Sequence, residues 1–243
     1  MLLLGLDTAT PAVTVALHDG ARVLAEATTV DKHRHAELLA PAISRVLAEA
    51  GADRADLTAI AVGVGPGPFT GLRVGLVTAR VLGAALGIPV HGVCSLDVIA
   101  ADVRLPRFLV ATDARRQEVY WARYDETGRY SGPHVDRPAD IDRRGSLPAV
   151  GEGARRYEGL FPPGEGPLYP AAATLCRLAA AELAREFSPD VARRDVLLPA
   201  VPLYLRRPDA REPGAPKRVT ETAPPQAAQS RGGPPAPSPG AGR

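Results

Sequence analysis

An apolar run at residues 2–6 ends on Asp7, an alternating segment at 13–17 follows, and a His18-Asp19-Gly20 turn leads to a third extended segment at 22–30. Apolar runs and period-two alternation bounded by turn residues predict an antiparallel three-strand meander. The period then changes. Leu38, Leu39, Ala42, Ile43, Val46 and Leu47 form one helical stripe, which predicts a helix over 31–50 with Asp31 as its N-cap and Gly51 as its stop. Pro41 interrupts it; an interior proline costs about 3 kcal/mol, so the helix is kinked or begins a turn later. A buried strand at 59–65, a Gly- and Pro-rich loop, a helix over 71–86 closed by Gly87, a strand at 89–93 and a helix capped by Ser95 complete this half.

The second half repeats the opening. Residues 107–112 form an apolar run ending at Asp113, 118–124 form a strand, and a turn at 125–128 leads to another extended segment. Residues 149–153 read as a strand entering a short helix, 161–170 as a loop, 171–187 as an Ala- and Leu-rich helix, and 201–207 as a final extended segment. Two lobes, each opened by a meander whose first strand ends on Asp, resemble the duplicated actin, sugar-kinase and heat-shock ATPase architecture. The expected fold is therefore α/β, an actin-like (ASKHA, ribonuclease H-like) two-lobe fold with mixed sheets flanked by helices. The expected lobes are 1–104 and 105–207. Residues 208–243 are rich in Pro, Ala, Gly and Ser, with Val219 almost the only sizeable apolar side chain, and read as a disordered tail.

Composition narrows this little. The 243 residues are 45% hydrophobic, enough for one large core or two small ones, and the formal charge of +2 is far from the concentrated positive charge of an obvious nucleic-acid binder. Cys94 and Cys176, the two cysteines, have no paired spacing, so neither a disulfide framework nor a cysteine zinc site is indicated. The apolar start is too short for a signal sequence and is broken by Asp7; no other apolar stretch approaches the roughly 20 residues that cross a bilayer. A cytoplasmic protein with no membrane contact is expected.

Six segments carry a more specific resemblance: LGLDTAT at 4–10, HAELLAP at 35–41, VGPGPFTGLRVG at 64–75, IPVHGVCSLD at 88–97, TDARRQEVYWA at 112–122 and PLYLR at 202–206. In this order they resemble the TsaB family, dimerisation subunits of the bacterial complex that makes threonylcarbamoyladenosine in tRNA. The signature loop is Gly65, Pro66, Gly67, Phe69, Thr70, Gly71 and Arg73, with Pro68 where the family usually has Ser. The resemblance implies a non-catalytic activator of the paralogue TsaD, which transfers threonylcarbamoyl to N6 of adenosine 37 in tRNAs reading ANN codons. It implies contact with the ATPase TsaE through the complex, indirect contact with tRNA, and an alternative homodimer. Older descriptions of the family as glycoproteases make an independent ATP-dependent or metallopeptidase enzyme the rival reading.

The residues argue against that rival. A phosphate-binding loop after the first strand needs glycine for close backbone approach, but this loop is Asp7-Thr8-Ala9-Thr10 and its second-lobe counterpart is Asp113-Ala114-Arg115-Arg116. Asp7 and Thr10 are at most degenerate remnants of a cofactor site, and no cofactor is expected. Gly63–Gly75 lacks the Lys-Ser/Thr ending of a phosphate loop, and its prolines remove donors; Thr70 is the expected cap of the next helix. By the resemblance, the catalytic paralogue carries a His-x-x-x-His metal pair where this chain has Gly92 and Leu96, and neither can bind a metal. His33 and His35, two apart, cannot share a helix face, and His18, His91 and His134 stand alone. Ser95, Cys94 and His91 have no nucleophile-elbow context.

An interaction surface remains. Gly71, Gly75, Ala79 and Gly83 recur every four residues and make a smooth stripe that lets another helix approach closely, either within the core or from a partner. With Leu38, Leu39 and Ile43 they are the expected partner interface, since family members pair through these two helices. Arginine pairs at 115–116, 143–144, 155–156, 193–194 and 206–207 read first as solvated faces and second as contacts to RNA phosphate.

Overall fold

The computed structural model describes residues 1–141, 147–185 and 196–206, together with Gly233. The 208–243 tail, apart from Gly233, the pairs Arg143-Arg144 and Arg193-Arg194, Arg207, and the end of the 171–187 helix lie outside the described residues.

Three strands, β1 (Leu3–Asp7), β2 (Ala12–His18) and β3 (Val23–Val30), form the first meander, with β1 and β2 paired from Leu3–His18 to Asp7–Thr14. Parallel strands β4 (Ala59–Gly63) and β5 (Val90–Val93) extend the sheet on the other side of β1. β1 is thus central, and its run is apolar throughout because both faces are covered. Leu4 and Leu6 face a core shared with helices α1 (His35–Glu49) and α2 (Phe69–Leu86), through Leu39, Ile43, Val46, Leu72, Leu76 and Ala79. Leu3 faces the opposite core. The short helix α3 (Ser95–Ala100) then leads to the second sheet.

That sheet has the order β8-β7-β6-β9. Its strands are β6 (Arg107–Asp113), β7 (Val119–Asp125), β8 (Gly128–Asp136) and β9 (Ala149–Val150), the last parallel to β6 and followed by α4 (Glu152–Arg156). The repeated meander of the sequence is therefore present, and both sheets lie within one unit, Met1–Pro208.

The chain does not stay with the second sheet. Helix α5 (Ala172–Arg185) returns to the first, where Ala172, Leu175, Cys176 and Ala179 pack on Leu3, Ala16, Ala59 and Ala61. Its approach is close enough that a Cβ on Gly5 would lie 2.3 Å from Cys176 Sγ. Strand β10 (Leu198–Pro199) likewise pairs antiparallel with β5 at the edge of the first sheet. A lobe boundary at 104 separates the meanders but not these layers: a helical pattern records an apolar face, not which sheet covers it.

Several local expectations need correction. Helix α1 begins at His35 with Arg34 at its cap, a turn later than Asp31; the Asp31 carboxylate instead accepts the N–H groups of His33 (2.8 Å) and Arg34 (3.0 Å). Pro41 remains inside the helix, on its exposed side. Helix α2 is capped by Pro68, and Thr70 lies within its first turn; Gly87 closes it in the left-handed region at φ 67° as expected. Residues 201–206 form no strand, because Pro199 and Pro202 lack ladder donors; Leu203 N–H donates to the Val64 carbonyl at 2.8 Å instead. Helix α2 is also long and apolar enough by length and composition alone to count as a membrane span, contrary to the sequence estimate, but its buried side packs on the core just described.

Candidate functional site

The turns that end β1 and β6 face a shared cleft of about 390 Å³. Thr8, Ala9, Thr10, Lys32, His33, Phe69 and Thr70 line it from the first sheet's side, and Asp113, Arg115 and Glu152 from the second's.

Asp7, the degenerate cofactor candidate, is not in that lining. Its Oδ1 accepts the Ala9 N–H at 2.7 Å and its Oδ2 accepts the Ser95 hydroxyl at 2.6 Å. Ser95 Oγ in turn accepts the Gly65 N–H at 3.2 Å, tying β1, the signature loop and α3 together. Ser95 is therefore the first residue of α3, not its cap, and serves the carboxylate 88 positions away. Burial pushes the Asp7 carboxyl up to about 6, against the downward pull of the bonds from Ser95 and Ala9. A Cβ on Gly63 would lie 1.9 Å from Asp7 Oδ2, so even the backbone of β4 closes on it. Asp7 is a sealed turn-capping group.

The rest of the first turn is equally occupied. The Thr8 hydroxyl donates to the Gly71 carbonyl at 2.7 Å and accepts the Gly75 N–H at 2.9 Å. His35 Nε2–H donates to the Thr10 carbonyl at 2.8 Å, and Thr10 Oγ1 accepts from Ala12 N–H at 3.3 Å. The signature loop presses on the turn from above: a Cβ on Gly67 would lie 2.2 Å from the Ala9 carbonyl oxygen. Gly65, at φ 89° before the cis Gly65–Pro66 peptide, needs the left-handed region that glycine tolerates.

The second turn is built differently. Asp113 Oδ1 accepts the Arg115 N–H at 3.1 Å and Oδ2 pairs with Arg156 at 3.3 Å. Arg206 donates to the Ala114 carbonyl at 3.4 Å and pairs with Glu118. Burial and the neighbouring Asp113 charge raise the Glu152 carboxyl above its usual range.

The expected partner interface is split between core and surface. Leu39, Ile43, Gly75, Ala79 and Gly83 are buried in the chain's own core. Cβ atoms on Gly71, Gly75 and Gly83 would lie 2.8 Å from the Thr8 carbonyl oxygen, 2.5 Å from Thr8 Oγ1 and 2.3 Å from Val90 Cγ2. The small-residue stripe is thus the inward face of α2, small because the sheet lies so close; only Leu38 and Gly71 keep partial exposure. The outward face carries Phe69, Arg73, Val77 and Val81 at the same four-residue interval, with Val77 55% and Val81 63% exposed. Arg73 lies 4.7 Å over the Phe69 ring, which stacks on Tyr204 at 5.4 Å. The motif PLYLR holds this tyrosine, but nothing local in the sequence pairs it with Phe69.

Gly92 lies within β5, where a Cβ would meet Val64 Cγ1 at 2.5 Å, and Leu96 is fully buried. His18 Nδ1 accepts the Gly20 N–H, and His134 rests against Trp121. Among the described residues no three His, Cys, Asp or Glu side chains are grouped to hold a metal ion. Burial pushes the Cys94 and Cys176 thiols up to about 12, far from a reactive thiolate.

Fold and site together define an actin-like α/β protein with the loop after its first strand packed shut. A profile of TsaD, tRNA N6-adenosine threonylcarbamoyltransferase, matches residues 22–162. An uncharacterised protein of Mycobacterium tuberculosis is 48% identical over 212 residues, covering 86% of this chain and 93% of that protein. The tRNA threonylcarbamoyladenosine biosynthesis protein TsaB of Escherichia coli is 36% identical over 142 residues, 56% of this chain and 61% of that one. The crystal structure of a Pseudomonas aeruginosa protein described as similar to peptidase YEAZ is 31% identical, with a TM-score of 0.69 over 84% of this chain and 99% of that one. The chain belongs to the TsaB family.

Proposed function

We propose that the chain is a cytoplasmic, non-catalytic subunit of threonylcarbamoyladenosine synthesis on tRNA, and that it activates its catalytic paralogue TsaD by docking the outward face of α2 and the adjoining exposed edge of α1 against it. TsaE joins through that complex, tRNA is met within it, and the same face accounts for a homodimer. The observation that carries this reading is the row Phe69, Val77 and Val81, apolar and exposed on an 18-residue helix whose opposite side is core. Such a row loses free energy to water unless another surface covers it. A partner of the same fold would bring an equivalent helix pair. The sealed Asp7 agrees with a supporting role: a carboxylate held by Ala9 and Ser95, closed off by Gly63 and absent from the cleft lining, cannot reach a phosphate-bound metal ion in the cleft.

Co-purification with the catalytic paralogue tests it. Val77→Arg/Val81→Arg should abolish association while leaving the melting temperature within a few degrees of wild type, because both positions are exposed. Normal association of that variant would overturn the docking face. Ala79→Arg would not serve, since Ala79 is fully buried and the substitution would break the fold instead.

A further inference from the structure

The turn between β6 and β7 holds three consecutive side-chain-bearing residues in the left-handed region: Arg115 at φ 62°, Arg116 at 53° and Gln117 at 62°. Each such residue is strained because its Cβ crowds the following carbonyl oxygen; glycine would relieve this and asparagine eases it in part. The turn is nonetheless braced from several sides. Asp113 holds the Arg115 N–H, the Ala114 N–H donates to the Glu118 carbonyl at 3.0 Å, and the Glu118 N–H donates to the Arg115 carbonyl at 2.9 Å. Arg206 reaches in from the C-terminal segment to the Ala114 carbonyl and to Glu118.

The charges around the turn are sorted by depth. Asp113 is buried and pairs with Arg156, Glu118 pairs with Arg206, and Glu152 is largely covered. Arg115, Arg116, Gln117 and Arg155 are exposed, and Lys32 and His33 are exposed across the cleft from Arg115. Asp113 and Glu118 are thus engaged by Arg156 and Arg206, while the outer surface carries exposed guanidinium, ammonium and amide groups on a rigid mount.

We propose that this turn, Arg115–Gln117, contacts the sugar-phosphate backbone of the tRNA in the assembled complex. The proposal rests on the functional reading above, which supplies an RNA substrate. Guanidinium forks match phosphate oxygens in pairs, and a braced turn loses little freedom on binding. The chain's net charge of only +2 fits a local contact that adds to a partner's binding, not an independent RNA-binding domain.

The experiment titrates a tRNA transcript onto the complex with the catalytic paralogue at several salt concentrations. Wild type is compared with Arg115→Asn/Arg116→Asn and with Arg115→Lys/Arg116→Lys. Asparagine tolerates the left-handed region, so the first variant removes charge and keeps the turn. It should weaken binding about tenfold and lower the slope of log affinity against log salt by about 1.5, while the lysine variant retains most of the slope. Co-purification with the paralogue, read in parallel, should be unchanged for both. An unaltered affinity and slope for the asparagine variant would overturn the proposal. If wild type itself fails to assemble, the functional reading falls, and the same titration on the chain alone, with no difference between wild type and the asparagine variant, would sink this one too.

Discussion

The two turns that face the cleft begin alike and end as opposites. Each follows a first meander strand that stops on an Asp whose carboxylate accepts an N–H two residues on: Ala9 for Asp7, and Arg115 for Asp113. The first turn then spends its remaining groups inward, with Thr8 on α2, Thr10 on His35 and Ala9 beneath Gly67. The second carries its arginines outward and is braced from beneath by Arg206 and Arg156. In a duplicated fold, one turn can thus be packed against the core while its counterpart stays at the surface.

The packing that distinguishes the first turn is most vulnerable at Gly67. Gly67→Val would drive its side chain into the Ala9 backbone, and neither loop can yield without losing the Asp7 and Thr8 bonds. A loss of about 3 kcal/mol or more is expected in urea unfolding. A loss under 1 kcal/mol would mean the first turn is not packed as described.

Next in size is the titration of Asp7. Its folded pKa of about 6 stands above the ordinary 3.8, so the fold favours the protonated form. The stability it contributes is complete below about pH 4 and is lost as pH rises through 6. Asp7→Asn imitates the protonated group. Near pH 7.5 it should be more stable than wild type by about 2–3 kcal/mol, with a flatter dependence of stability on pH between about 4 and 7. A variant less stable than wild type at neutral pH would show that the carboxylate itself is what the site holds.

The smallest effect falls on the second turn. Arg115→Asn eases left-handed strain and removes no buried side-chain contact, so stability should rise by about 0.5 kcal/mol. Denaturant midpoints of this single variant and wild type would check this. A clear loss of stability would mean that Arg115 is part of the fold.

The strands of both meanders, the helices over the first sheet and the Gly87 stop were legible because period-two and period-3.6 patterns are local properties of a chain. The residue types at three key positions were equally legible: Ala9, Gly92 and Leu96 bring no metal-ligating side chain wherever they fold. The candidate interface was legible only as a helix. Small residues every four positions say that something lies close to α2, and the sheet and a partner helix satisfy that pattern equally well.

Sequence alone determined most of the strands and helices and the family. Tertiary structure decided which face of α2 is left outside, why Ser95 belongs to Asp7 and not to a helix cap, and why α5 covers the first sheet. The physical reason is range. A residue's backbone preference acts over a few neighbours, whereas burial and hydrogen bonding are settled by groups dozens of positions away, brought together only when the sheets are built.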